Sequence, residues 1–182
     1  MMSQLFKDWI QAASLVVISI GGLIAAFRAV YEMQQNREQR AEELRWRRAN
    51  VAKGILDELF SNPQSQYATL ILDWSERQRE YEIKKGYNQA ISYDEVVAAV
   101  GKMQEADLSD KEVFIRDCFD CFFYLIDRIE HSIQIKLISS EDVDAPLRRY
   151  AKKIGTQQET YDNFMKLHGY SLAIQFFKRL RG

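Results

Sequence analysis

Nineteen consecutive residues carry no charge, from Trp9 to Phe27 (WIQAASLVVISIGGLIAAF), close to the start of a 182-residue chain. As a helix rising about 1.5 Å per residue, such a run covers roughly the 30 Å hydrocarbon core of a bilayer. Trp9 and Tyr31 bracket it where interfacial aromatics sit. The expectation is a single N-terminal membrane-spanning helix. A secretory signal peptide would place its positive charge before a shorter apolar run and end in a small-residue cleavage site. Here the basic residues follow the run, and AAFRAV offers no such site. A buried core helix is the other competitor, but core helices seldom hold an uncharged stretch of this length.

The flanks set the orientation. Before the run stand only Lys7 and Asp8; after it come Arg28, Arg37, Arg40, Arg45, Arg47, Arg48 and Lys53. Basic residues near a span are retained on the cytoplasmic side. The N-terminus is therefore expected outside and the rest of the chain in the cytoplasm. Seven basic residues against four acidic give +3 over 28–53, while seventeen against twenty-one give −4 over 54–182. A basic collar beside an acidic domain fits a neck near anionic headgroups, with Arg37, Arg40, Arg45, Arg47 and Arg48 as the lipid contacts. It fits nucleic acid poorly, because no basic patch extends through the rest of the chain.

Within the run and just past it, Ser14, Gly21, Ala25 and Ala29 recur on one side of a helix. Small residues four apart let two backbones approach closely, so this strip is a candidate face for self-association. The alternative is the ordinary small-residue content of a span. With only Gln11 and two serines polar in the run, one copy provides no conducting path.

Beyond the run the pattern is helical. Only two prolines and eight glycines occur, too few for a many-stranded β fold or long linkers. The spanning helix continues as a stalk until Asn62-Pro63 stops it. From Leu44 onward Val51, Ala52, Ile55, Leu56 and Leu59 form an apolar stripe expected to pack on the following domain. A second helix is expected from Gln64 to about Glu80, with Tyr67, Leu70, Ile71 and Trp74 on one face. Tyr81 to Ile91 reads either as a loop or as a short hairpin around Lys85-Gly86. Ser92/Glu95, Ser109/Glu112 and Thr156/Glu159 each have the spacing of a capping box. The Ser109 box opens the strongest helix, to about Lys136. A further helix over Ser140–Ile154 enters through Pro146, His168-Gly169 closes the next, and Ser171–Leu180 forms the last.

Two patterns resemble chemistry. Cys118 and Cys121 form a C-x-x-C, but mid-helix among Phe119, Phe122 and Phe123, which favours core packing over redox or metal work. Asp117, Asp120, Asp127 and Glu130 recur along the same helix. They are read as a solvated face with Arg116 and Arg128 as ion-pair partners, rather than as acid–base or metal residues. No Gly-rich phosphate loop and no nucleophile motif occurs. The sequence therefore assigns no catalytic residue, no cofactor-binding residue, no metal ligand and no cofactor.

Four stretches carry a resemblance: LRWRRANVAKGILDELFSNP (Leu44–Pro63), LILDWSER (Leu70–Arg77), DKEVFIRDCFDCFFYLIDRIEHSI (Asp110–Ile133) and LISSEDVDAPLRRYAKKI (Leu137–Ile154). They are similar to a family of small bacterial single-pass membrane proteins with a helical cytoplasmic domain of unknown function. The resemblance implies a bacterial inner-membrane protein and supplies no activity, cofactor or site residue.

The expected architecture is all-α: a tail and transmembrane helix over 1–31, a basic stalk helix over 32–60 and a five- to six-helix cytoplasmic domain over 61–182. The expected function is a membrane-anchored helical interaction or regulatory module, non-enzymatic, with membrane lipid and a protein partner or a second copy as its contacts. The alternatives are an oligomerising membrane effector or subunit of a larger complex and, third, a membrane-proximal enzyme.

Overall fold

A computed structural model describes the backbone except at Met1 and residues 74–78, 85–86 and 104–107. Side chains are described except there and at 2–8, 10–21, 24–26, 79, 84 and 87. Among the described residues the fold is seven helices and one two-stranded hairpin. The chain divides into a unit covering Met1–Arg47 and a unit covering Arg48–Gly182.

The first helix, α1, runs from Met2 to Ser61 and supplies the whole of the first unit. Most of the side chains of the expected anchor lie outside the described residues. Among the described residues no helix is long and apolar enough to cross a membrane. In the second unit the end of α1 buries Ala52 and Leu59 and half-buries Val51, Ile55 and Leu56. The apolar stripe therefore engages from Val51, not from Leu44, which is exposed. Asn62 ends the helix as expected, and its side-chain oxygen accepts hydrogen bonds from the backbone N–H groups of Gln64 (3.0 Å) and Ser65 (3.2 Å). Two orphan donors of the next helix are satisfied in this way.

That helix, α2, covers Pro63–Asp73, shorter than the expected span to Glu80. The reason is the hairpin: β1 (Arg79–Lys84) pairs antiparallel with β2 (Tyr87–Ile91), with Tyr81 opposite Gln89. Tyr81 and Ile91 turn into the core while Glu80, Glu82 and Asn88 face out, the period-2 alternation that a strand requires. The hairpin is thus the second of the two readings open for this segment. Trp74 lies outside the described residues.

The remaining helices are α3 (Tyr93–Gly101), α4 (Asp110–Gln134), α5 (Ser140–Gly155), α6 (Gln158–Leu167) and α7 (Ser171–Arg181). The capping boxes of Ser92 and Ser109 form on α3 and α4. The third does not. Thr156 instead ends α5, its hydroxyl donating to the Lys153 carbonyl at 2.7 Å, and α6 begins without a side-chain cap. A threonine just after a helix finds the last carbonyls nearer than the next helix's amides. α5 matches the expected span of Ser140–Ile154 to within a residue, and Pro146 lies inside it rather than in its first turn. Gly169 takes φ +82° between α6 and α7, a left-handed conformation that glycine adopts without a Cβ clash.

α4 is the centre of the second unit and packs on α2, α3 and α7. Its Ile115, Cys118, Phe119, Phe122, Phe123, Ile126 and Ile129 are inaccessible to solvent. Val113, near the start of the same helix, is exposed. Phe123 is the aromatic hub, with ring centroids 5.5–6.0 Å from Phe119, Phe122, Tyr161, Phe164 and Phe177.

The Ser109 box has a pH signature. The Lys102 ammonium, then the Ser109 amide and hydroxyl, hold the Glu112 carboxyl down at about 2. A carboxyl depressed in the folded state contributes stability above its unfolded pKa and loses it as pH falls through the folded value. Thermal stability is therefore expected to decline from about pH 4.5 toward pH 2, with a shallower decline in E112Q. Parallel melting curves of the two proteins across that window would remove Glu112 from the account.

Candidate functional site

Of the acids singled out along α4, Asp117 is exposed, as a solvated face requires, but Asp120, Asp127 and Glu130 are not. They form a polar seam facing α7 and the α6–α7 turn. Asp120 Oδ1 accepts the Tyr170 hydroxyl at 2.7 Å and lies 3.2 Å from Nδ1 of His168. Asp127 Oδ1 accepts the backbone N–H groups of Leu172 (2.9 Å) and Ala173 (3.0 Å). It caps the N-terminus of a helix to which it does not belong, and its negative charge complements the dipole there. Glu130, 7% exposed, lies 3.2 Å from Arg179, whose other contact is a two-oxygen grip on Asp144 at 2.8 and 2.7 Å.

The expected ion-pair roles of the arginines resolve differently. Arg128 pairs with Glu58 at 2.7 Å on α1. Arg116 is buried and donates to the carbonyls of Ala99 (3.2 Å) and Lys102 (2.7 Å), where α3 ends. A guanidinium suits that position, having several donors and a positive charge for the negative end of the dipole. The ends of α3 and α7 are therefore both completed by α4.

Where these contacts meet, Leu108, Val113, Arg116, Asp117, Asp120 and His168 line a cleft of about 290 Å³. The imidazole of His168 stacks 4.3 Å from Phe164, over which the Arg116 guanidinium also lies at 5.1 Å. Burial, then the neighbouring Asp120 charge, pushes the Asp117 carboxyl up. Burial, and the hydrogen bond to Asp120, pushes the Tyr170 phenol up as well. A His–Asp contact in a cleft invites a general-base reading. The geometry points elsewhere: the far nitrogen of the ring, Nε2, faces the Arg116 guanidinium at 3.5 Å rather than an approaching hydroxyl. Among the described residues lining the cleft there is no serine, threonine or cysteine. With one ring nitrogen on a carboxylate and the other on a guanidinium, His168 ties the α6–α7 turn to α4.

The cysteine pair divides. Cys118 is buried in the core, as expected, and burial pushes its thiol up to about 12. Cys121 is half-buried, and its thiol donates to Asn62 Oδ1 at 3.3 Å. A thiolate is the reactive form, so an aromatic disulfide reagent is expected to label Cys121 in the folded protein and to reach Cys118 only after denaturation. Equal labelling of both thiols under native conditions would contradict this burial. No group of three or more metal-ligating side chains occurs among the described residues.

The residues proposed from the sequence for membrane contact lie on α1. Trp9 and Tyr31 are 75% and 66% exposed. Arg37, Arg40, Arg45, Arg47 and Arg48 are all exposed, with Arg47 paired to Glu43 four residues earlier. Ala29 is exposed, whereas the side chains of Ser14, Gly21 and Ala25 lie outside the described residues. Trp46, which could have packed or anchored, is 70% exposed. Large apolar side chains at Leu23, Phe27, Val30 and Met33 are exposed as well. Sequence reasoning missed the capping roles of Arg116 and Asp127. The available signal was that α7 starts at Tyr170-Ser171 with no acid or amide at its own cap position.

No protein family, no curated protein and no solved structure matches the chain.

Proposed function

We propose that the chain is a membrane-anchored helical interaction module, held by the α1 segment around Trp9–Phe27 and presenting the Arg48–Gly182 unit in the cytoplasm. The observation that carries this reading is the coincidence of an uncharged nineteen-residue run with uncovered Trp9, Leu23, Phe27, Val30 and Tyr31 on one continuous helix. In water, a helix with this much exposed apolar surface needs a covering, and a bilayer provides one. The basic flank on the C-terminal side of the run supports the same reading.

The lipid contacts follow from helix rise. With Tyr31 at the interface, Arg37 lies about 9 Å farther along α1 and Arg47 about 24 Å. The Debye length at physiological salt is about 8 Å. Arg28 and Arg37 are therefore within reach of anionic headgroups, while Arg40, Arg45, Arg47 and Arg48 are left increasingly for protein contact.

Both ring nitrogens of His168 are engaged, by Asp120 and Arg116, which favours binding over catalysis, with a protein partner or second copy as the target. Membrane extraction tests the anchor. The wild-type chain is expected to stay with membranes through high salt and alkaline carbonate and to be released by detergent. Placing two arginines at Val17 and Ile20, at about 2.5–3.5 kcal/mol each for insertion near a span's centre, is expected to move it to the supernatant. Alkaline phosphatase fused after Gly182 is expected to be inactive. Carbonate release of the wild type sinks the anchor; an active fusion reverses the orientation.

A further inference from the structure

The charges of α1 beyond Tyr31 are sorted by face. At about 100° per residue, Met33, Arg37, Arg40 and Leu44 fall on one side, and Tyr31, Gln35, Glu38 and Glu42 fall about 160° away. Each set has the spacing i, i+4, i+7, i+11, and the second is displaced from the first by two residues. All eight side chains are exposed. Arg28 pairs with Glu32 and Arg47 with Glu43 along the helix. Arg37, Arg40, Glu38 and Glu42 have no such pair among the described residues. Arg37 and Arg40, and Glu38 and Glu42, are like-charge neighbours at helical spacing, which disfavours the isolated helix, while Glu43 follows Arg40 and Arg45 follows Glu42 by three residues. Met33, Asn36, Arg37 and Arg40 also enclose a groove of about 340 Å³.

We propose that the Arg37/Arg40 face of one copy docks on the Glu38/Glu42 face of a second copy, with the two α1 helices parallel. Parallel alignment rests on the anchoring reading, because chains inserted in the same direction bring the same heights of α1 side by side. At equal height Arg37 meets Glu38 within one residue of rise, and Arg40 meets Glu42 within two. Met33 then lies beside Tyr31, an apolar contact at the membrane-near end of the seam. The helix thus carries both halves of a complementary surface. A symmetric pairing of basic face on basic face would oppose Arg37 and Arg40 to their own copies, so the contact is heterologous. Such contacts extend into rings or rows rather than stopping at a dimer. This seam is separate from the small-residue strip of Ser14, Gly21, Ala25 and Ala29.

Charge exchange tests the seam on the full-length chain in detergent, with native mass read by light scattering. The wild type is expected to exceed one protomer and to dissociate as salt is raised. R37E/R40E makes both faces acidic and E38K/E42K makes both basic, so each alone is expected to fall to protomer mass, with association weakened about tenfold or more. Mixing the two variants is expected to restore a larger species. Circular dichroism and melting of each variant confirm that it is folded. A wild type of protomer mass at every concentration overturns the proposal. So do oligomers indifferent to both reversals, which would place the contact elsewhere, and a mixture that stays dissociated. The anchor is read separately by carbonate extraction, so a chain that leaves the membrane yet retains the charge-exchange behaviour fails the first reading and not this one.

Discussion

Replacing Phe123 with alanine is expected to be the most damaging single change in the Arg48–Gly182 unit, at about 3–5 kcal/mol. The ring is inaccessible to solvent and is packed by five other aromatic rings contributed by α4, α6 and α7. Its loss removes the transfer free energy of a whole phenyl group. It also leaves a cavity that rigid rings on three helices cannot collapse to fill. Against a total of about 5–15 kcal/mol for a domain of this size, the variant is expected to be partly unfolded at growth temperature. Its melting point is expected to fall by roughly 10–20 °C. Leucine at the same position keeps much of the volume and is expected to cost about 1 kcal/mol. Denaturant unfolding of the full-length chain in detergent, monitored by near-ultraviolet circular dichroism, separates the two. A Phe123→Ala protein within 1 kcal/mol of wild type would show that this core is not close-packed.

The second large effect is expected at Arg179. Its guanidinium reaches Glu130 at 3.2 Å and Asp144 at 2.7 Å, and it lies 5.1 Å over the Phe176 ring. Asp144 has some access to water, but the Glu130 side chain is only 9% exposed. Truncating Arg179 to alanine therefore strands a carboxylate between α4 and α7. Breaking a buried pair from one side costs about 3–5 kcal/mol; with Arg179 itself a third exposed, about 2–3 kcal/mol is expected here. Removing the stranded charge should recover most of it, so E130Q/R179A is expected to be more stable than R179A alone. A double-mutant cycle measures this coupling. If R179A costs less than about 0.5 kcal/mol, the pair is no more than a surface contact.

The helices whose instructions are local were legible in the sequence. Ser92 and Ser109 with a glutamate three residues on, Pro63 after Asn62, and Gly169 each act within a few residues, and the chain folds there as their chemistry dictates. Cys118 was legible too, because Phe114 and Phe122 stand four residues to either side of it on the same helix face. What failed depends on partners distant in the chain. Asp120, Asp127 and Glu130 have the spacing of an exposed acidic face. Nothing local reveals that Tyr170, the amides of Leu172 and Ala173, and Arg179 lie opposite them. Thr156 shows the same weakness in reverse: its spacing to Glu159 is that of a helix start, yet its hydroxyl closes the end of α5. For α1, the sequence alone indicates the uncharged run and the sorted charges. The expected continuity up to Asn62-Pro63 is found in a helix from Met2 to Ser61, and the described structure adds that its flanking aromatics are uncovered.

The ends that α4 completes for its neighbours have a consequence for motion. The amides of Leu172 and Ala173 donate to Asp127, and the final carbonyl groups of α3 accept from Arg116. Fraying at these two termini therefore requires separation from α4 rather than a local fluctuation. Helix ends ordinarily exchange their amide hydrogens fastest. Here Leu172 and Ala173 are expected to exchange as slowly as the middle of α7, in one cooperative opening with the Tyr170–Asp120 contact. Exchange at the uncapped start of α6 should remain fast. α7 would then open as a hinged leaf latched to α4 by the carboxylates of Asp120, Asp127 and Glu130.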